Sequence, residues 1–203
     1  MKRIERTELT VSKIRKAAME EFGVNGYSGG TINNICKRGI NKGLIYHNFK
    51  DKDELYLDCL EMSCKKLVTI VEESGCTSDQ LQYMELRIHF FKNHPYEAHI
   101  FFEAILQPQE KLRDRIQQIL QPFEELNERI YRSVISRITL RDGITKEDAI
   151  AYFRQMQRMF NGYFSSSAYR NTAPDERIKE HEMKLSVFLD FMLYGIAKGD
   201  EQK

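Results

Sequence analysis

The residues best suited to do chemistry in this 203-residue sequence lie together between Asn41 and Lys52. Lys42, Tyr46, His47 and Lys52 supply hydrogen-bond donors of the kind that hold phosphate oxygens. Among them sits Gly43, in the first turn of a short helix, where glycine costs about 1 kcal/mol relative to alanine. A structural role offers little reason for that choice. A binding role does, because a backbone without Cβ can approach a phosphate or a base edge closely. Leu44, Ile45 and Phe49 face either the core of their own domain or a thymine methyl group. The chemistry encoded here is recognition, not bond-making.

Other candidate groups are weaker. His89, His94 and His99 recur every five residues, which does not stack them on one helix face, and Pro95 interrupts the series. His99 and Glu103 do share a face, but two side chains fall short of a metal site. No G-x-S-x-G, H-E-x-x-H or G-x-x-x-x-G-K-[ST] pattern occurs. Gly23, Gly26 and Gly29 imitate half a phosphate loop, yet no strand precedes them, so they read as turn glycines. Cys36, Cys59, Cys64 and Cys76 form no C-x-x-C pair. Cys59 and Cys64 read as core residues of a long helix. The expectation is therefore a non-enzyme with no cofactor and no metal.

The elements that must position the Asn41–Lys52 stretch are helices. Thr10 can cap a first helix whose apolar positions Val11, Ile14, Ala18 and Phe22 follow helical spacing, and Gly23 and Gly26 stop it. Thr31 opens a short second helix carrying Ile32, Ile35 and Cys36, and Gly39 breaks it. Asn41 caps a third, from Lys42 to about His47. Asp51-Lys52-Asp53-Glu54 has the form of an acidic capping box launching a long fourth helix toward Glu73. Two short helices joined by a tight turn, after an amphipathic one, describe a helix-turn-helix unit over about residues 31–49.

Beyond it, residues 74–78 read as a break, and helices are expected over 79–93 and 96–106. A long amphipathic helix over 110–140 should be kinked or split by Pro122. A capping box at Thr145 leads another, and a last one covers about 175–197. No alternating apolar run suggests a strand, and Gly (11) and Pro (4) are sparse. The fold class is all-α, with about nine helices: a three-helix head over 1–55 and a larger helical body over 56–203.

Charge divides the same way. Residues 1–55 carry eleven Lys and Arg against seven acids, a surplus of +4, whereas the whole chain is only +1. A basic head on a mildly acidic body is suited to a polyanion. The start of the chain has no apolar signal-like core. The longest apolar stretch, Leu185 to Ala197, is thirteen residues and contains Asp190, whereas a membrane span needs about 20. A cytoplasmic location without a membrane partner is the resulting expectation.

The residues quoted for the head resemble the TetR family of bacterial transcriptional regulators. The matching pieces are Ala17-Ala18 followed by Phe22, Gly26-Tyr27, Thr31-Ile32 followed by Ile35, and the dense string from Asn41 to Leu55. The resemblance covers about residues 9–56. It implies a DNA-binding head joined by the fourth helix to a regulatory body, a palindromic double-stranded operator, a second copy of the chain and a small effector. Carried over by position, Lys42, Tyr46 and Lys52 are expected as phosphate anchors, and Gly43, Leu44 and His47 as the base-facing stretch. Thr31 is expected as a phosphate contact opening the second helix. The sequence departs from the family at Arg38-Gly39-Ile40, one residue short in the turn, and at Gly30, where a capping Ser or Thr is common.

In the body, Leu185 to Ala197 is apolar nearly all round, so it must be covered nearly all round. Either a second subunit packs on it by two-fold symmetry, or it is wholly internal to a monomer. The first case places Phe153, Phe160, Phe164, Phe188, Phe191 and Met192 at a homodimer interface. Most of the 22 Phe and Tyr residues lie in the body. Phe90, Phe101, Phe102, Tyr131 and Tyr152 are candidates to line a pocket for an apolar or aromatic effector, with ordinary core packing as the alternative for each. Two functions remain: a dimeric repressor released from its operator by an effector, or a helical ligand- or partner-binding protein without operator recognition, which the shortened turn would suit.

Overall fold

The helical spacing of Ile14, Ala18 and Phe22 becomes a fully buried stripe on the first helix. The computed structural model describes residues 3–76, 79–169 and 171–196. Among these residues regular structure is helical: α1 (Arg3–Gly29), α2 (Ile32–Cys36), α3 (Lys42–Asn48), α4 (Lys52–Ser74), α5 (Gln80–Asn93), α6 (Pro95–Leu106), α7 (Arg113–Ile135), α8 (Lys146–Phe164) and α9 (Pro174–Ile196). Short 3-10 turns occupy Glu110–Leu112 and Ser167–Tyr169. No helix among the described residues is long and apolar enough to cross a membrane. Thr77, Ser78 and Ala197, which the sequence placed in a break and at the end of the last helix, lie outside the described residues.

Two helices differ from the sequence reading. The first begins at Arg3, so Thr10 lies inside it and not at its start. It also runs through Gly23 and breaks only at Gly26, whose backbone is at φ 65 and ψ 179. Gly23 is a packing residue: a Cβ there would lie 2.5 Å from Tyr96 Cβ, so its absence lets α1 and α6 touch backbone to backbone. The long helix α7 is neither split nor interrupted at Pro122, and it ends at Ile135 rather than near Leu140. Pro122 and Gln118, whose carbonyl loses its helical partner, are both exposed, so water can take up the orphaned oxygen.

The chain packs as two units, residues 1–66 with 91–120, and residues 67–90 with 121–203. In the first unit α6 and the start of α7 pack with the N-terminal helices. The core of the first unit joins Phe22, Ile35, Ile45, Leu55, Tyr56 and Phe101. Tyr56 meets Phe22 and Tyr27 edge-on, at 5.4 and 5.0 Å between ring centroids. The second unit is centred on Met84, Leu126, Ile130, Phe153, Phe164, Leu185 and Leu189. Fully burying one such side chain contributes roughly 1.5–3 kcal/mol.

Candidate nucleic-acid interface

Neither α2, of 5 residues, nor α3, of 7, could persist alone. Side chains fix their ends. Thr31 caps α2, its hydroxyl accepting the Asn34 N–H at 3.1 Å. The buried carboxylate of Glu21 on α1 accepts the Thr31 N–H at 3.2 Å and the Asn34 side-chain amide at 2.9 Å. Gly39, at φ 83, turns the chain through the left-handed region that glycine enters without steric cost. Asn41 caps α3 by accepting the Gly43 N–H at 2.7 Å, and Ile45 inserts into the core. Helix α3 is therefore held by its caps and one buried side chain, which leaves most of its surface outside.

On that surface lie Lys42, Gly43, Leu44, Tyr46 and His47, all exposed. Lys42 Nζ donates to Asn33 Oδ1 on α2 at 3.1 Å, an exposed contact that a phosphate oxygen can replace. A Cβ on Gly43 would meet only the capping oxygen of Asn41, at 3.1 Å, so the outward side of the residue is open. Thr31 is exposed too, and its hydroxyl can still donate after accepting the capping bond. Sequence reasoning passed over Asn33 and Lys37, exposed residues of the second helix and its cap; their place beside Thr31 was the available signal. Arg38 is paired with Glu20 on α1.

Lys52, expected with Lys42 and Tyr46 as a phosphate anchor, is placed differently from both. Its ammonium donates to the carbonyls of Tyr27 at 2.6 Å and Gly30 at 3.0 Å, and sits 4.3 Å from the centre of the Tyr27 ring. Burial lowers its pKa. The charge fastens the end of α1 to the start of α4 instead of facing outward.

The break in α1 needs other partners, since a helix end leaves backbone groups unsatisfied. Helix α6 supplies them. His99 Nδ1 donates to the Gly23 carbonyl at 2.6 Å, and the Glu103 carboxylate accepts the Tyr27 N–H at 3.0 and 2.9 Å. Glu103 also accepts the Tyr56 hydroxyl at 3.0 Å. The two side chains that fell short of a metal site thus form a clamp on the backbone. Tyr27 Oη donates to Asp53 at 2.5 Å, and Asp53 accepts Lys111 Nζ at 2.6 Å. Burial pushes the Asp53 carboxyl up, but the bonds from Lys111 and Tyr27 outweigh it and hold the pKa low. Arg15 on α1 makes a two-pronged bond to Asp58 on α4, at 2.8 and 2.6 Å.

In the second unit, Arg87 on α5 and Glu182 on α9 form a two-pronged ion pair at 2.9 and 2.7 Å, each side chain 4% exposed. Arg87 also donates to the Tyr83 hydroxyl at 3.1 Å, which donates to Asn127. His181 lies between Glu182 and Asn161, at 3.1 Å from each. Burial pushes the Glu182 carboxyl up, yet the Arg87 charge and its hydrogen bonds hold it down at about 2. Of the five pocket candidates, Tyr131 lines a small cavity in this unit. Phe90 is buried in the same unit, whereas Phe101 and Phe102 cluster with Phe91 in the first unit, and Tyr152 is exposed.

The interface candidates also separate. Phe153, Phe160, Phe164 and Met192 are already buried inside a single copy, so a partner could cover little more of them. Phe188 is half-buried against Phe160, with ring centroids 4.9 Å apart. Phe191 is 71% exposed. The exposed apolar stripe on α9 is Met183, Val187 and Phe191, at four-residue spacing, and on α8 it is Tyr152, Met159 and Tyr163.

Known proteins share this architecture. The pattern described as "Bacterial regulatory proteins, tetR family" matches residues 14–59, and that described as "Tetracyclin repressor-like, C-terminal domain" matches residues 78–199. The HTH-type transcriptional repressor AcnR of Corynebacterium diphtheriae is 30% identical over 75 residues, 36% of this chain and 40% of that protein's length. Among solved structures, the transcriptional regulator FadR from Bacillus subtilis in complex with stearoyl-CoA superposes with a TM-score of 0.63 at 16% identity, covering 92% of this chain and 99% of the other. The regulator PfmR from Thermus thermophilus gives 0.56 at 18% identity, over 92% and 96%. These structures share the fold.

Proposed function

This chain belongs to the tetR family of bacterial regulatory proteins, and from that premise we propose that it is a dimeric, sequence-specific DNA-binding repressor released from a palindromic operator by a small effector. The observation that carries the reading is the exposed surface of α3, where Lys42, Tyr46 and His47 surround the open Gly43 on a helix fixed by its caps. Lys42, Tyr46 and the Thr31 hydroxyl hold phosphates. Gly43, Leu44 and His47 address base edges, with Leu44 suited to a thymine methyl. Two copies place their reading helices in successive major grooves about 34 Å apart. The stripe of Met183, Val187 and Phe191 supplies the apolar surface for the second copy. An effector binds the helical body and favours a conformation in which the two heads no longer match that spacing, so operator affinity falls. Similarity to a named repressor supports the sign of regulation, and a DNA partner supports a cytoplasmic location.

The test is selection of bound fragments from a random duplex library at near-physiological salt, then titration of the winner against salt. A palindromic consensus whose affinity falls steeply with salt is expected. Binding without a consensus would sink specific regulation by this chain, and absence of binding would leave a helical ligand- or partner-binding protein.

A further inference from the structure

Two exposed lysines of the head are held by neutral partners. Lys42, at the start of α3, donates from Nζ to Asn33 Oδ1 at 3.1 Å. Lys37, at the end of α2, donates from Nζ to Asn34 Oδ1 at 3.0 Å. Both acceptors are side-chain amides on adjacent residues of one helix. Arg38, next along the chain from Lys37, is paired instead with a carboxylate, that of Glu20 on α1. A carboxylate fixes a cation by offsetting its charge, whereas an amide oxygen fixes it and leaves the charge whole.

The two amides are themselves oriented. Glu21 on α1 is 3% exposed and accepts the Asn34 side-chain N–H at 2.9 Å. A carboxylate only accepts, so Asn34 turns its NH2 inward to Glu21 and its oxygen outward to Lys37. Asn33 turns its oxygen to Lys42 for the complementary reason, because an ammonium only donates. Lys37 keeps helical backbone angles, φ −60 and ψ −16, four residues after Asn33. The two therefore stand on the same side of α2, one turn apart. Asn33 touches the first turn of α3 on that side, so Lys37 and Lys42 flank one asparagine.

Being held matters for a lysine. Its four-carbon stem loses much rotamer freedom when it is fixed, and that cost weakens whatever contact fixes it. An amide that restrains the stem before DNA arrives removes part of the cost. Each ammonium has three donors, so two remain for phosphate oxygens while the amide bond is kept. We infer that Asn33 and Asn34 are positioning residues that present Lys42 and Lys37 as two fully charged phosphate anchors, which adds Lys37 to the interface. The inference rests on the DNA-binding regulator proposed above and extends its contact surface from α3 onto α2.

The test measures the affinity of the full chain for its selected duplex, by anisotropy, over a series of salt concentrations. Lys37→Ala is expected to lower the slope of log affinity against log salt by about two for the dimer, one for each copy. On a duplex of scrambled sequence the proportional loss should be similar, because every sequence carries the same phosphates. A double-substitution cycle then tests the positioning. Asn33→Ala should weaken binding about five-fold for each copy, but less than about two-fold where Lys42→Ala is already present. Asn34→Ala should behave likewise with and without Lys37→Ala. An effect of either asparagine on folding is common to both backgrounds, so the cycle removes it. An asparagine whose loss costs as much without its lysine as with it acts on the fold or on DNA directly, which overturns the inference. So does a salt slope indifferent to Lys37→Ala in a protein that binds its duplex. A wild type that binds no duplex refutes the regulator reading instead.

Discussion

The carboxylate of Glu103 accepts the backbone N–H of Tyr27 with both oxygens, at 3.0 and 2.9 Å, across 76 residues of chain. The N–H is available because Gly26 leaves the helix at φ 65. Two residues in α6, His99 and Glu103, thereby hold the carbonyl before the break and the N–H after it. Thr31 and the helix-turn-helix come soon after that break, so the placement of the reading helix depends on a segment far outside it in sequence.

Replacing Glu103 with alanine should therefore destabilise the protein by about 2 kcal/mol, since the Tyr27 N–H and the Tyr56 hydroxyl both lose an acceptor. Glu103→Gln keeps one acceptor oxygen and should lose less. Thermal unfolding followed by circular dichroism reads both, and a melting temperature unmoved by Glu103→Ala would remove the clamp.

The two lysines near the reading helix should behave oppositely. Lys42→Ala is expected to weaken duplex binding and lower the slope of log affinity against log salt by about two for the dimer, one for each copy of Lys42, with stability changed by no more than about 0.5 kcal/mol. Lys52→Ala should instead lower the melting temperature, because two backbone carbonyls lose their ammonium. Anisotropy titrations with the selected duplex, paired with melting curves, distinguish them; a salt slope changed only by Lys52→Ala would reverse the assignment.

Val187→Glu or Phe191→Glu should convert the protein to a monomer in sedimentation while preserving its helicity, because both side chains stand 71% exposed on one copy. A buried neighbour gives the contrast. Phe164→Glu should unfold the second unit, since it places a charge in the core with no partner. A Phe191→Glu variant that sediments as the wild-type dimer would move the interface off α9.

Stability should fall with acid in two stages. Burial lowers the pKa of His181 below its usual 6.5, against the opposing pull of Glu182. Between the folded and unfolded values the unfolded chain binds a proton that the folded chain refuses, so the stabilisation present above pH 6.5 is lost as pH drops through that window. Glu182 acts lower down. Its carboxylate, held at about 2 against a usual 4.5, contributes stability above pH 4.5 that disappears as pH falls toward 2. Denaturant unfolding at stepped pH reads the profile, and His181→Asn should flatten its upper stage. A profile that rises on acidification from neutrality would contradict the burial of a neutral imidazole.

Much of this molecule is legible residue by residue. Helical periodicity in Ile14, Ala18 and Phe22, the caps at Thr31 and Asn41 and the turn at Gly39 are short-range features, determined by backbone sterics and side chains within a few positions of one another. They were enough to establish an all-α chain, to locate its two short helices and to put Lys42, Tyr46 and His47 on the outside of the second. Tertiary structure alone decided the rest. Lys52 carries the same ammonium as Lys42, but the carbonyls of Tyr27 and Gly30 claim it. His99 and Glu103 are a clamp only because Gly23 lets α6 close on α1. Phe164 and Phe191 are the same residue type, one buried and the other open, because the rotation of a helix about its own axis is set by the neighbours it packs against. Those contacts join residues tens of positions apart, and a pattern with a period of a few residues does not contain them.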